Sequence, residues 1–320
     1  MATVFGLSEP YRNHLISVLP CGRGVCAVCW TAVDPDFRHC YVCNTARMTY
    51  GPRLANVVVP IALAVKHEQL AHELWHYKYD LDASVRSRLT TRLAAVLWRF
   101  LDEHEPHIAS AVDVPGFDIV TTVPGTRQRD GEHPLASIVA TIVGHTRGRF
   151  EPLLTLRPDA MAKAHSLVAD RYRPTRALRN DPGVLLVDDT WTTGGNAQSA
   201  AIALHEAGAA KVAIVVLGRH FDRSFGRSEE YYQQAKYRKF TWDTCCLELG
   251  ATEGSLPGVA AESFKVGSRL AAQRHSKPVT LVTATVPSHG RQRADPEGRP
   301  QVGFTCANQR TQTSPRILRG

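Results

Sequence analysis

Val57–Val65 is apolar almost throughout and reads as a strand, followed by a helical stretch from about Glu68 to Tyr79. Leu89, Leu93, Leu97 and Leu101, with Val96 and Phe100 beside them, recur at helical spacing. They predict one buried stripe on a helix from about Ser84 to Glu103. Phe117–Val123 reads as a strand ended by Pro124-Gly125, and helix-like periodicity runs from Leu135 to Val143.

Val184–Val187 is a short apolar run bounded by Pro182-Gly183, the signature of a fully buried strand. A helix from Asn196 to Ala207 follows, stopped by Gly208, and Lys211–Leu217 is the next strand. Strand, turn, helix and strand within about 35 residues form a βαβ unit, which predicts a parallel sheet with a right-handed crossover. The core from about 51 to 250 is therefore expected to be α/β.

In an open parallel sheet, ligands bind beyond the carboxyl ends of the strands, and Asp188 and Asp189 fall at that end of the Val184–Val187 strand. Thr192-Thr193-Gly194-Gly195 then supplies a tight turn. Its backbone amides and hydroxyls can surround a phosphate, with the next helix pointing its positive end at it. Two carboxylates beside a phosphate would repel it. They make sense when their partners are hydroxyls and a hydrated Mg²⁺, as when a ribose bridges a phosphate in the loop and a metal-bound pyrophosphate. The bland alternative is an acid pair that ends a strand and caps a helix. Walker-type nucleotide hydrolases also carry such pairs, but this chain has no Gly-Lys dipeptide, hence no Walker A loop.

The stretch Val184-Leu-Leu-Val-Asp-Asp-Thr-Trp-Thr-Thr-Gly-Gly-Asn196 resembles the fingerprint of type I phosphoribosyltransferases: an apolar run, two acids, a spacer and a Thr-Thr-Gly turn. The resemblance implies that family's fold, a parallel sheet flanked by helices with a variable hood. It also implies that Asp188 and Asp189 hold ribose hydroxyls, as the catalytic pair, while Thr190, Thr192, Thr193, Gly194, Gly195 and Asn196 wrap the 5′-phosphate of phosphoribosyl pyrophosphate (PRPP). Asn196 stands where the family usually has Thr or Ser, and Trp191 is bulkier than the usual spacer residue. Val123-Pro-Gly-Thr-Arg127 is positioned as the pyrophosphate loop, with Arg127 and Arg129 as candidate ligands, or equally as solvated loop arginines. Arg157–Arg179, with Lys163, His165, Arg171 and Arg173, lies where a lid belongs, or is an ordinary surface loop.

Cys26-Ala-Val-Cys29 and Cys40-Tyr-Val-Cys43 are two Cys-x-x-Cys pairs ten residues apart. Disulfides are disfavoured in a cytoplasmic chain, whereas four thiolates at this spacing satisfy a tetrahedral, structural Zn²⁺. Cys21 and His39 are spare candidates, and a redox pair is the alternative. An N-terminal cysteine cluster ahead of this domain resembles the layout of ComF-like proteins, as does Tyr77-Lys78-Tyr79 before a long helix. Arg129–Pro134 departs from their usual loop. His72-Glu-Leu-Trp-His76 matches the His-Glu-x-x-His pattern of zinc proteases, but Tyr79 and Asp82 stand where the extended pattern needs Gly and a third His.

The net charge of +8 is concentrated at one end, with ten Lys/Arg against four Asp/Glu from Ala251 to Gly320. That stretch is rich in Gly, Pro, Ser, Arg and Thr, with one strand-like run at Val279–Val286, and reads as a mostly disordered basic tail. Nucleic acid stays open as its partner but is not indicated by the core. No apolar run approaches the ~20 residues needed to span a bilayer, and no secretory signal is apparent, so a cytoplasmic location is the default.

The sequence thus predicts a zinc module over 1–50, a phosphoribosyltransferase-like domain over 51–250 and a basic tail over 251–320. The expected activity is Mg²⁺-dependent transfer of phosphoribosyl from PRPP to a nitrogen nucleophile. The alternative is a sensor that binds PRPP or a nucleotide without turnover, or a DNA-uptake accessory resembling ComF. The acceptor and any homo-oligomeric state are left open.

Overall fold

Strand β1 (Val57–Val65) is the expected apolar run, and it lies at one edge of a four-stranded sheet in the order β1-β6-β5-β2. The other strands are β2 (Ile119–Thr122), β5 (Gly183–Trp191) and β6 (Lys211–Phe221), and every pairing among them is parallel. Phe150 adds a single parallel bridge to Val120 beyond β2. In this computed structural model the described residues are 2–125, 133–157 and 166–249. All of them fall in one compact unit spanning 1–283. The basic tail over 251–320 lies outside the described residues.

The helices are α1 (Val4–Ser8), α2 (Tyr41–Tyr50), α3 (Gln69–Tyr79), α4 (Ala83–Ala111), α5 (Pro134–Ser137), α6 (Gly144–Arg147), α7 (Gly195–Ala207), α8 (Ser228–Tyr237) and α9 (Cys246–Leu249). A short antiparallel pair, β3 (Leu154–Leu156) and β4 (Tyr172–Pro174), stands apart from the main sheet. Among the described residues, no helix is long and apolar enough to cross a membrane.

Both faces of the sheet are covered, which is why its strands read as continuous apolar runs rather than alternating ones. Leu185, Val187, Ala213, Val215 and Leu217 point into a core shared with α3 and α4. Their neighbours Val184, Leu186, Val212, Ile214 and Val216 point the other way, into a core shared with α7 and with Cys26, Cys29 and Cys43. The leucine stripe of α4 is buried as its spacing predicts, Leu93 and Leu97 completely.

Three elements differ from expectation. Helix α4 runs past Glu103 through Pro106 to Ala111, because Ile108 and Ala109 extend the buried stripe. That packing outweighs a lost backbone hydrogen bond and ring clash of ~3 kcal/mol. The periodic stretch after Leu135 is not one helix. It is α5, a π-helical turn over Ile138–Ile142, and α6. Strand β5 continues four residues beyond Val187, because β6 still offers partners there, Asp188 opposite Val216 and Trp191 opposite Arg219.

Gly218 of β6 sets how closely α3 approaches the sheet. A Cβ there would lie 2.6 Å from Leu74 Cδ1 and 2.7 Å from Ala64 Cβ. Gly218→Ala is expected to destabilise the fold by about 1–3 kcal/mol through overpacking, read from urea unfolding midpoints. An unchanged midpoint would show that α3 is free to shift.

Candidate active site at the carboxyl ends of the sheet

Beyond the carboxyl ends of β1, β6, β5 and β2 lies an open cleft of about 840 Å³. The acid pair, the Thr-Thr-Gly turn and the start of α7 line one side. Val123, Pro124 and Gly125, which follow β2, and His133 line another, and α3 contributes His72, Trp75, His76 and Lys78. The candidate residues of the 188–196 run, Asp188, Asp189, Thr190, Thr192, Thr193, Gly194, Gly195 and Asn196, thus share one cleft with Val123–Gly125 of the expected pyrophosphate loop. Arg127 and Arg129 lie outside the described residues.

The two acids have different surroundings. Tyr77 Oη donates to Asp189 Oδ2 at 2.5 Å, and Lys78 Nζ pairs with the same oxygen. Burial opposes ionisation of Asp189, but the Lys78 charge and the hydrogen bonds from Lys78 and Tyr77 hold its pKa below the ordinary carboxylate range. The Lys78 charge also favours ionised Asp188, but burial outweighs it. Burial first, then the negative charge of Asp189, pushes Asp188 up to about 7. The pair therefore holds one fixed charge and one that titrates near neutrality.

The turn that follows is built on glycine. Gly194 has φ of +80°, and a Cβ on it would lie 2.0 Å from Trp191 Cζ2. The Trp191 ring, 2% exposed, packs beneath the turn, so a large spacer residue serves as its floor. Helix α7 starts at Gly195, and its first intrahelical bond is Gln198 N–H to Gly194 O at 2.8 Å. The amides of Asn196 and Ala197 thus have no carbonyl within the helix and lie at the cleft. Asn196 Oδ1 is buried without a hydrogen-bond partner among the described residues.

The segment after β2 is drawn in close. Tyr172 Oη donates to Pro124 O at 3.2 Å, and burial with the nearby Asp188 charge raises the Tyr172 pKa. A Cβ on Gly125 would meet the His133 ring at 2.8 Å. Of the Arg157–Arg179 stretch, Lys163 and His165 lie outside the described residues. The remainder includes β4 and, before it, a loop tied to α7 by Val168 N–H donating to Ser199 Oγ at 2.9 Å. Arg171 is fully buried, with Nη2 donating to Ser166 O at 2.8 Å, so it braces its own loop; Arg173 is exposed.

Helix α3 carries the His-Glu-x-x-His pattern, and its chemistry is not that of a protease. His72 and His76 stack with centroids 3.8 Å apart, and His76 Nδ1 bonds Asp80 Oδ2 at 2.7 Å. Glu73 points inward, where it accepts from Tyr11 Oη and, at 2.9 Å, from Gln69 Nε2. It is committed to the core and unavailable as a base.

Cys26, Cys29, Cys40 and Cys43 come together with all sulfurs within 4.8 Å of one another, a cluster able to hold a metal ion. Cys29 Sγ and Cys40 Sγ are 3.7 Å apart, and Cys40 N–H donates to Cys26 Sγ at 3.3 Å. Hydrogen bonding from the neighbouring sulfurs, Cys29 above all, holds Cys26 well below the ordinary thiol range. Cys21 is exposed and outside the cluster. Arg219, 8% exposed, links this cluster to the site: Nε donates to Cys29 O at 2.9 Å and Nη1 to Trp191 O at 3.1 Å.

Pattern reading had missed Lys78 and Tyr77 as partners of the acid pair, and His133 beside it. The only signal for the first two was the Tyr77-Lys78-Tyr79 run itself. Nothing local ties Tyr77, 112 residues from Asp189, or its neighbour Lys78 to that acid.

No family model matches the chain. No curated protein sequence matches it either. A solved structure described as a phosphoribosyltransferase from Corynebacterium diphtheriae aligns at 22% identity over 52% of this chain and 89% of that one, with a TM-score of 0.26. Fold and site alone define an α/β protein with a helix-flanked parallel sheet, an acid pair in a polar cleft and a four-cysteine cluster.

Proposed function

We propose that this cleft binds PRPP and that the protein is a phosphoribosyltransferase of the type I, ComF-like kind. The observation that carries the reading is the run from Asp188 to Asn196, which joins an acid pair to a glycine turn and a helix N-terminus in one cleft. The 5′-phosphate sits on the turn and the amides of Asn196 and Ala197. The Asn196 carboxamide, turned to present its N–H group, takes the part that the family gives to Thr or Ser. Ribose hydroxyls donate to Asp188 and Asp189, and pyrophosphate lies toward Val123–Gly125, with Arg127 as its further ligand.

A Mg²⁺ ion suits Asp188, a cleft-lining carboxylate on which burial and the Asp189 charge outweigh the compensating charge of Lys78. When bound with PRPP, the ion supplies charge neutralisation for departing pyrophosphate. The chain's residues do the rest. Positive charge grows on the ribose ring as the bond from C1′ to the pyrophosphate oxygen breaks, and the two carboxylates stabilise it. The acceptor nitrogen forms the new bond to C1′ and releases its proton. His72, Trp75 and His76 give the α3 side of the cleft a flat, aromatic character, which suits a planar nitrogenous acceptor. In the cysteine cluster, zinc is the ion that four thiolates favour, in a closed structural site.

Calorimetry with PRPP and Mg²⁺ tests the reading, and pyrophosphate release with candidate acceptors separates transfer from binding alone. Binding has a stated pH dependence. Hydroxyls donate to the ionised form of Asp188, and its pKa of about 7 lies above the ordinary 3.8. The ionised fraction therefore rises with pH through 7, and affinity is expected to increase about tenfold from pH 6 to 8. Asp188→Asn should remove that increment while leaving any slope from the ligand's own phosphate. A wild-type slope no steeper than that of Asp188→Asn would refute the role of Asp188.

A further inference from the structure

A second group of metal-ligating side chains lies on the helices away from the cleft. His104 and His107 are three residues apart on α4, Cys245 immediately precedes α9, and Glu248 is in α9. One ligand atom from each of the four lies within 4.8 Å of every other. We infer that His104, His107, Cys245 and Glu248 form a second metal site, with Zn²⁺ as the ion their donor set favours.

The tautomer of His104 supports this. His104 is 1% exposed, and its Nε2 lies 2.8 Å from the Trp242 carbonyl oxygen. A carbonyl only accepts, so Nε2 carries the proton and Nδ1 presents a bare lone pair. A ligand imidazole is commonly held this way, its far N–H tied to a carbonyl while the near nitrogen binds the ion.

That lone pair faces His107 Nδ1 at 3.5 Å and Glu248 Oε2 at 3.5 Å, and His107 Nδ1 lies 3.2 Å from Glu248 Oε1. Ligand atoms around a tetrahedral zinc, bound at ~2.0–2.1 Å by nitrogen or oxygen and ~2.3 Å by sulfur, stand roughly 3.3–3.6 Å apart. The two imidazole nitrogens and the Glu248 carboxylate oxygens stand close to that spacing, 3.2–3.5 Å apart. The buried Cys245 sulfur completes four ligands, and its presence with two imidazoles selects a borderline ion over Mg²⁺ or Ca²⁺. His107 and Glu248 are 46% and 35% exposed, which gives the ion a path from solvent.

The site's place in the fold gives it a purpose. Helix α9 is short and is the last described element before the tail. A metal shared by α4 and α9 would clamp this end of the chain to the longest helix of the domain. The competing account is a proton in place of the metal, with His107 donating to Glu248 and Cys245 as a plain buried thiol.

Elemental analysis of the full-length, untagged chain distinguishes the two. Two zinc sites predict about two ions per chain, falling to about one in His107→Ala and in Cys245→Ser, with secondary structure retained by circular dichroism. His107 is the more exposed ligand, so its variant is the one expected to keep the fold. Co²⁺ titration of His107→Ala and wild-type chains that keep zinc at the four-cysteine site, with the more exposed second site first emptied by mild chelation, provides a readout that does not depend on Cys245→Ser folding. Cobalt entering the wild-type second site should give a thiolate-to-metal absorption band from a single sulfur, absent in His107→Ala. One zinc per wild-type chain that is lost in Cys40→Ser, or a metal content unchanged in His107→Ala, would overturn the second site and leave the proton-linked cluster.

Discussion

Asp188→Asn/Asp189→Asn is expected to abolish PRPP·Mg²⁺ binding measurable by calorimetry while the chain stays folded. Each carboxylate replaced removes a charge-assisted hydrogen bond of about 1.5–3 kcal/mol from the ribose, so the pair together is worth a loss of about two to four orders of magnitude in affinity. The sign of this result is what makes it informative. The double variant removes the fixed charge of Asp189 and the partly ionised one of Asp188 and frees Lys78 from Asp189, which by itself favours any anion. If PRPP bound elsewhere in the cleft, or only through its phosphates, affinity would hold or increase. Only direct engagement of the sugar by these acids turns two lost repulsions into weaker binding. Asp189 also has a structural duty, because Lys78 is 15% exposed and loses its counter-charge when Asp189 is neutralised. Urea unfolding alongside calorimetry keeps loss of fold apart from loss of binding.

The second large effect is expected at the four-cysteine cluster. Cys40→Ser should lower metal content by about one ion per chain and destabilise the protein by at least about 3 kcal/mol, since binding energy at a closed zinc site is folding energy. The effect should reach beyond the N-terminal segment. Cys26, Cys29 and Cys43 are part of the core on the α7 face of the sheet, and Arg219 ties Cys29 O to Trp191 O directly below the glycine turn. Loss of the metal is therefore expected to weaken PRPP binding as well, by loosening the floor of the phosphate site. Unchanged metal content, or unchanged stability with the metal gone, would show that the four sulfurs are merely packed together.

Much of this was legible without tertiary structure because the determinants are local. A short apolar run bounded by turn residues suits a strand covered on both faces, a leucine every four residues buries as a helical stripe, and Gly194 and Gly208 sit where the backbone needs positive φ. Two Cys-x-x-Cys pairs hold sulfurs at ligand spacing within a few residues, and the acid pair leads into its turn within one short segment. Those features set the α/β class, the acid-pair and glycine-turn loop and the cysteine cluster.

What sequence pattern left open depends on residues that meet only when distant segments pack. The order β1-β6-β5-β2 follows from which edges remain to be covered, not from any one strand. Tyr77 and Lys78 reach Asp189 because α3 lies close over Gly218, and this contact holds Asp189 low while burial and the Asp189 charge raise Asp188. Glu73 was one half of a protease-like motif until Tyr11 claimed it for the core. His104 and Cys245 are 141 residues apart and carry no shared spacing; only the packing of α9 against α4 makes them neighbours. The sequence determined the local elements and their chemistry, because bond geometry and burial act over a few residues. The tertiary structure decided which charges face each other, because electrostatics and coordination act through space.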